Sequence, residues 1–182
     1  LIYLLEGVTG SGKTEVYIES SKKIISSGKT VLMLVPEISL TVQMVRRFRE
    51  CFDKVAILHG ELTPAERYDE YRKIARGEVD LVIGARSAIF APLTNIGLII
   101  IDEEHSETYK QDNSPFYHAL EVAKMRQKYN KNCKIVLGSA TPDITTHNKK
   151  KKNEITMLEL TKRANNSTLP QVQIVDLKQE LA

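Results

Sequence analysis

The chain has 182 residues, 42% hydrophobic and 27% charged, with a formal net charge of +3. That suits one soluble globular domain with a real core, and the charge is too small for a globally basic surface, so any nucleic-acid contact must be local. Cys51 and Cys133 are far apart, and there is no CxxC, signal peptide or apolar run of membrane-spanning length. This argues against a metal site built on cysteine and against a membrane partner, and it favours a reduced, cytoplasmic chain.

The chain opens directly in an apolar run, Leu1 to Leu5, without a methionine, and is expected to be a piece of something larger. The run reads as a strand entering Gly7-Val8-Thr9-Gly10-Ser11-Gly12-Lys13-Thr14, a complete loop of the form GxxxxGK[ST]. Glycines at those places let the backbone curl until several N–H groups face one anion. The positive end of the following helix faces the same point. Lys13 is then expected to reach the β/γ-phosphates of a nucleotide, and the Thr14 hydroxyl to bind Mg²⁺. The helix is predicted over Thr14 to Ser27, with Gly28 as its stop.

Next comes a strand, Val31 to Val35, and then Pro36-Glu37-Ile38-Ser39-Leu40-Thr41. Leu40, Met44, Phe48 and Phe52 follow at four-residue steps, an apolar helical stripe. After a short strand, Val55 to Leu58, Thr63-Pro64-Ala65-Glu66 reads as a capping box with proline at the first helical position. That helix is expected to carry Tyr68, Tyr71 and Ile74 inward and to stop at Gly77. A strand at Leu81 to Ile83 leads into Gly84-Ala85-Arg86-Ser87-Ala88. Both post-strand segments place a hydroxyl and backbone N–H groups at a helix start, a geometry suited either to backbone phosphates or to simple capping.

Leu98 to Ile101 is continuously apolar and ends in Asp102-Glu103-Glu104-His105. A carboxylate at the end of a buried strand can hold Mg²⁺ directly or through water, which suits Asp102. Glu103 is then the candidate to orient and deprotonate an attacking water. A helix is expected from about His118 to Tyr129, and a strand at Ile135 to Leu137. Gly138-Ser139-Ala140-Thr141 follows; its hydroxyls can bond toward His105, or cap a helix that has Pro142 at its first position. Lys149 to Lys152 is a charge run that reads as a solvated helix end or as a phosphate contact. Two strand pieces, Ile155 to Leu160 and Val172 to Leu177, flank a loop at Asn165 to Thr168. The strand runs are unbroken rather than alternating and are separated by helices. This predicts an α/β fold with a doubly wound, mostly parallel sheet, and with ligand sites beyond the carboxyl ends of its strands.

Taken together, several segments resemble the PriA family of bacterial primosomal helicases, also called primosomal protein N′. They are Gly7 to Tyr17, Val35 to Thr41 with Gln43-Met44 and Arg47-Phe48, His59-Gly60, Ile83 to Pro92, Asp102 to His105, Tyr109-Lys110-Gln111, and Gly138 to Pro142. The resemblance covers nearly the whole chain. It implies the first RecA-like lobe of a P-loop NTPase: an ATP-binding lobe over residues 1–160, and an edge segment or linker over 161–182. The family's activity is that of a superfamily 2, DEAH-like helicase that moves 3′ to 5′ on single-stranded DNA and restarts stalled replication forks. The DNA-binding domains, the zinc-binding insertion and the second lobe with its arginine finger would lie outside this chain, so zinc is expected in the full-length protein but not on this lobe.

Carried over by position, Lys13 and Thr14 would bind phosphate and Mg²⁺, Asp102 would bind Mg²⁺ and Glu103 would activate water. His105, Ser139 and Thr141 would couple hydrolysis to DNA. Pro36, Ser39, Thr41, Gly84, Arg86 and Ser87 would face the single strand. Ser106 to His118 corresponds to an aromatic-rich loop that senses DNA, although Ala119-Leu120 replace the Arg-Asp expected there. The implied partners are single-stranded and forked DNA, primosome proteins, single-strand-binding protein and the replicative helicase loader. Two alternatives stand beside this. One is a RecG-like or transcription-repair-coupling translocase, in which Arg-Phe-Gly typically follows the acidic box, where this chain has Ser106-Glu107-Thr108-Tyr109. The other is a nucleotide-binding module inactive on its own, because losing a trans-acting arginine can cost a factor of about 10³–10⁵ in phosphoryl transfer.

Overall fold

A computed structural model describes residues 1–8, 10–142 and 155–161. In chain order the elements are β1 (Ile2–Gly7), α1 (Lys13–Ser26), β2 (Thr30–Leu34), α2 (Val42–Cys51), β3 (Val55–Leu58), α3 (Pro64–Ala75), β4 (Leu81–Gly84) and β5 (Ile96–Ile101). Then come the two-residue strands β6 (Lys110–Gln111) and β7 (Tyr117–His118), α4 (Ala119–Tyr129), β8 (Lys134–Ser139) and β9 (Thr156–Leu160). Seven strands form one sheet in the order β3-β4-β2-β5-β8-β1-β9, with every recorded pairing parallel. β6 and β7 form a separate antiparallel hairpin.

The unbroken apolar runs are explained by burial on both faces. Alternate residues of β2 point opposite ways, as pleating requires. Leu32 and Leu34 pack in one cluster with Ile74 of α3 and with Ala119 and Ala123 of α4. Val31 and Met33 pack in the other, with Tyr17 and Ile18 of α1 and Phe48 of α2. All six residues of β5 are buried at the centre of the sheet. This is the doubly wound parallel sheet that the sequence predicts.

The sheet order also sorts the loops. β5, β8 and β1 are adjacent, so the segments after them emerge side by side. β3, β4 and β2 form the other side of the sheet and gather the remaining post-strand segments. α1, α3 and α4 lie within one or two residues of their predicted bounds; of the predicted apolar stripe, Met44 and Phe48 lie on α2, whereas Leu40 stands before it and Phe52 is its C-cap. One orientation is corrected. Tyr68 is 62% exposed, with the Arg72 guanidinium 5.5 Å from its ring centroid, whereas Ile74 is buried and Tyr71 partly so. Positions 68 and 74 lie about 120° apart around a helix, too far for both to face the sheet.

Among the described residues no helix is long and apolar enough to cross a membrane. The lysine run at 149–152, the loop at 165–168 and the strand expected at 172–177 lie outside the described residues, as does the expected edge segment beyond Thr161.

The predicted capping box is complete in the structure. Thr63 accepts from the Glu66 amide, and the Glu66 carboxylate accepts from the Thr63 amide at 2.9 Å. Thr63→Ala is therefore expected to lower unfolding free energy by about 1 kcal/mol, read as a shifted urea midpoint at unchanged slope.

Candidate active site

The loop after β1 turns on two left-handed glycines, Gly10 at φ +78° and Gly12 at φ +93°. A side chain at either would be strained, which is why glycine recurs there. Gly12 is the N-cap of α1 and offers no side-chain cap, so the first helical N–H groups are left to face outward. The turn closes through Ser11 N–H to the Val8 carbonyl at 2.9 Å. Lys13 Nζ donates to the Gly7 carbonyl at 2.7 Å and keeps its other two donors. Within the loop the Ser11 hydroxyl is buried without a partner.

Asp102 leaves the end of β5 and faces this loop. Val8, Gly10, Ser11, Gly12, Lys13, Thr14, Glu15, Arg47, Asp102 and Glu103 line one cavity of about 430 Å³. The larger cavity, about 490 Å³ beside α2, holds neither carboxylate and lies away from this chemistry. Arg47 of α2 is ion-paired with Glu15. Nothing in the sequence pairs these two side chains, although each lies in a segment that carries the family resemblance.

Two buried tyrosines hold Asp102. Tyr17 donates to Oδ1 at 2.8 Å, and Tyr109 donates to the Asp102 main-chain oxygen at 2.6 Å. Burial, and then the Asp102 charge, push both hydroxyls far above the ordinary phenol range, so both stay protonated donors. Glu103 adopts φ +47°, a left-handed conformation that costs a non-glycine residue on the order of 1 kcal/mol or more. The Glu104 amide fastens that turn to the Gly138 carbonyl at 2.9 Å. The result is that Asp102 and Glu103 line the same cavity although they are consecutive.

His105 joins two strand ends. Its Nδ1 lies 2.9 Å from Ser139 Oγ, and its Nε2 lies 3.6 Å from Glu103 Oε2. Ser139 is fully buried at the end of β8 and also accepts from the Thr141 amide at 3.1 Å. Of the two readings left open for this segment, the bond toward His105 is present. Thr141 takes part through its backbone, its side chain being exposed.

The segments after β2, β3 and β4 form a separate cluster, where Glu37, Gly60, Ala85, Arg86, Ser87 and Thr108 line a cavity of about 290 Å³. Pro36 and Gly84 are buried; a Cβ on Gly84 would collide with the Leu58 carbonyl and Ala88. Ser39, Thr41 and Ser87 are the more accessible of the residues expected to face DNA. Thr41 caps α2 by accepting from the Met44 amide. Arg86 lines that cavity and also donates from Nη1 to the Thr108 and Lys110 carbonyls at 3.1 and 2.5 Å, lying 5.7 Å from the Tyr117 ring centroid. It clasps the loop that follows the acidic box, a role no local pattern announces.

The donor set suits a hard cation. Thr14 supplies a hydroxyl and Asp102 a carboxylate in one cavity, which Lys13 also lines. Mg²⁺ is commonly held by one or two protein oxygens, with phosphate and water completing the shell. Such a site needs no cluster of three or more His, Cys, Asp or Glu, and none occurs among the described residues.

The model of the DEAD/DEAH box helicase family matches residues 3–149. The chain is similar to the replication restart protein PriA of Bacillus subtilis, with 52% identity over 181 residues, 99% of this chain and 22% of that protein. It is 48% identical to the Synechocystis protein of the same name, over 98% of this chain and 22% of that one. The chain thus spans about a fifth of the length of these curated relatives. Among solved structures it is similar to the Pyrococcus furiosus Hef helicase domain, at a TM-score of 0.63 and 22% identity, covering 87% of this chain and 35% of that one. RecG bound to a three-way DNA junction gives a TM-score of 0.61 at 29% identity, covering 85% of this chain and 20% of that one.

The clasp by Arg86 makes a direct prediction. Arg86→Ala should raise amide hydrogen exchange across residues 106–118 and leave exchange in β5 and β8 unchanged, as read by mass spectrometry of peptides from each segment.

Proposed function

Because this chain belongs to the DEAD/DEAH box helicase family, we propose that residues 1–160 are the ATP-binding lobe of a replication-restart DNA helicase. The observation that carries the reading is one cavity lined by Lys13, Thr14, Asp102 and Glu103. The names of the relatives at 52% and 48% identity favour replication restart over a RecG-like translocase, which is matched at 29%. The full protein would use ATP to move 3′ to 5′ on single-stranded DNA, work on forked DNA in the cytoplasm, and meet primosome proteins, single-strand-binding protein and the replicative helicase loader.

In that role the loop N–H groups and Lys13 bind the β- and γ-phosphates. Thr14 and Asp102 would hold Mg²⁺, whose charge neutralises the phosphate oxygens. Glu103 orients the attacking water and accepts its proton. Ser39, Thr41 and Ser87 lie toward the strand-end cluster that would face DNA, and His105 bonds Ser139 while its other ring nitrogen lies 3.6 Å from Glu103. Arg47, the arginine lining this cavity among the described residues, is already paired with Glu15. This fits a transition-state cation supplied from another part of the full protein.

In the full-length protein Lys13→Ala should bring ATP hydrolysis to background, and activity at the wild-type rate would remove the site assignment. His105→Ala should lower the stimulation of ATPase by single-stranded DNA several-fold while nucleotide affinity stays within about twofold of wild type. Equal losses in both would count against coupling through His105.

A further inference from the structure

Tyr17 is 1% exposed on the second turn of α1 and does not line the nucleotide cavity, yet its hydroxyl reaches the carboxylate that does. The contact has a built space around it. Gly138 lies opposite on β8, and a Cβ there would overlap the Tyr17 hydroxyl and come within 2.8 Å of Asp102 Oδ1. Three elements therefore meet at one hydrogen bond: α1, which starts at the phosphate loop, the end of β5, and the end of β8.

A buried tyrosine needs only some acceptor for its hydroxyl, and a backbone carbonyl suffices, as Tyr109 shows. Tyr17 instead spends its donor on one oxygen of a carboxylate at the mouth of the cavity. We infer that Tyr17 is a positioning residue for Asp102: its hydroxyl holds Oδ1, fixes the rotation of the carboxylate, and leaves Oδ2 to take the cation. Gly138 is the second half of the device, since any side chain there would push the hydroxyl off the acid. Partners of a ligating group act on a metal by orienting that group, and removing them commonly weakens metal binding by about 10–100-fold.

This inference rests on the proposed ATP·Mg²⁺ site, and the experiment separates the two. In the full-length protein, binding of a fluorescent ADP analogue is titrated with Mg²⁺ after a reference measurement in EDTA. Tyr17→Phe should match wild type in EDTA, while the Mg²⁺ concentration giving half of the metal-dependent gain in affinity rises about tenfold or more. Gly138→Ala should shift the same midpoint in the same direction. Its added effect should shrink in the Tyr17→Phe background, because both changes break one contact. An unshifted midpoint in Tyr17→Phe overturns the inference. So does an equal loss of affinity in EDTA, which would make the tyrosine a support for the phosphate loop instead. If Tyr17→Phe does not fold, Gly138→Ala decides alone: a shifted midpoint supports the inference and an unshifted one overturns it. Lys13→Ala is the control for the site: if it leaves analogue binding in EDTA intact, the ATP-site reading fails independently of Tyr17.

Discussion

The parallel alignment of the sheet is the constraint on which everything else depends. Parallel strands cannot be joined by tight hairpins, so each crossover carries a helix or long loop over a face of the sheet. All carboxyl ends then point the same way. With β5, β8 and β1 adjacent, three segments distant in sequence open beside one another: the glycine loop, the Asp102–His105 box and the Ser139–Thr141 segment. The bonds among them are short-range because the strands that bear them are in register, with Glu6 opposite Ser139 and Ile101 opposite Leu137. No loop has to be long or flexible to complete the cavity.

That arrangement lets the backbone carry strain where the chemistry needs it. Glu103 in a left-handed conformation is costly in isolation. Here the flanking residues are tied down on both sides: the Asp102 amide and carbonyl bond to Leu34 and Tyr109, and the Glu104 amide bonds to Gly138. The rigid sheet therefore bears the cost of turning two consecutive carboxylates into one cavity. The buried Tyr17 hydroxyl meets the Asp102 carboxylate, and a hydrogen bond to a charged group contributes on the order of 1.5–3 kcal/mol, whereas Tyr109 bonds the neutral main-chain carbonyl of the same residue. An equivalent contact at the protein surface would be worth far less.

The sheet and the glycine loop were legible in the sequence because each leaves a pattern in consecutive residues. Unbroken runs such as Leu98 to Ile101 mark strands covered on both faces, and Gly10 and Gly12 sit where only glycine is unstrained. The Thr63–Glu66 capping box is likewise local. What escaped depends on residues far apart in sequence. Tyr17 appears in the sequence only as the end of the glycine-loop segment, and its role shows once Asp102 and Gly138 are placed against it. Arg86 is expected from the sequence to face the single strand, and its hold on the Thr108 and Lys110 carbonyls shows only once the loop at 108–110 folds over it. The hairpin of β6 and β7 has two residues per strand, too few to show a period. Tyr68 was misplaced because three-residue spacing drifts around the helix and only part of the stripe can be buried.

The least local feature is the continuity between the two clusters of strand ends. Arg86, after β4, holds the carbonyls of Thr108 and Lys110; between them Tyr109 turns inward and holds the main chain of Asp102. Asp102 is in turn held by Tyr17 on the helix that begins at the glycine loop. Each link is a hydrogen bond to a backbone carbonyl or to one carboxylate oxygen, and such bonds tolerate little displacement before they weaken. The segment after β4 and the acid after β5 are thus joined through side chains of Arg86 and Tyr109 alone, with no α-helix between them. His105 offers a second link, from Glu103 to the end of β8. The two differ in what they touch: the Arg86–Tyr109 link bears on the backbone of Asp102, and the His105 link bears on the neighbouring acid. In the proposed helicase, a signal arriving through the first would alter cation placement, and one arriving through the second would alter the activation of water.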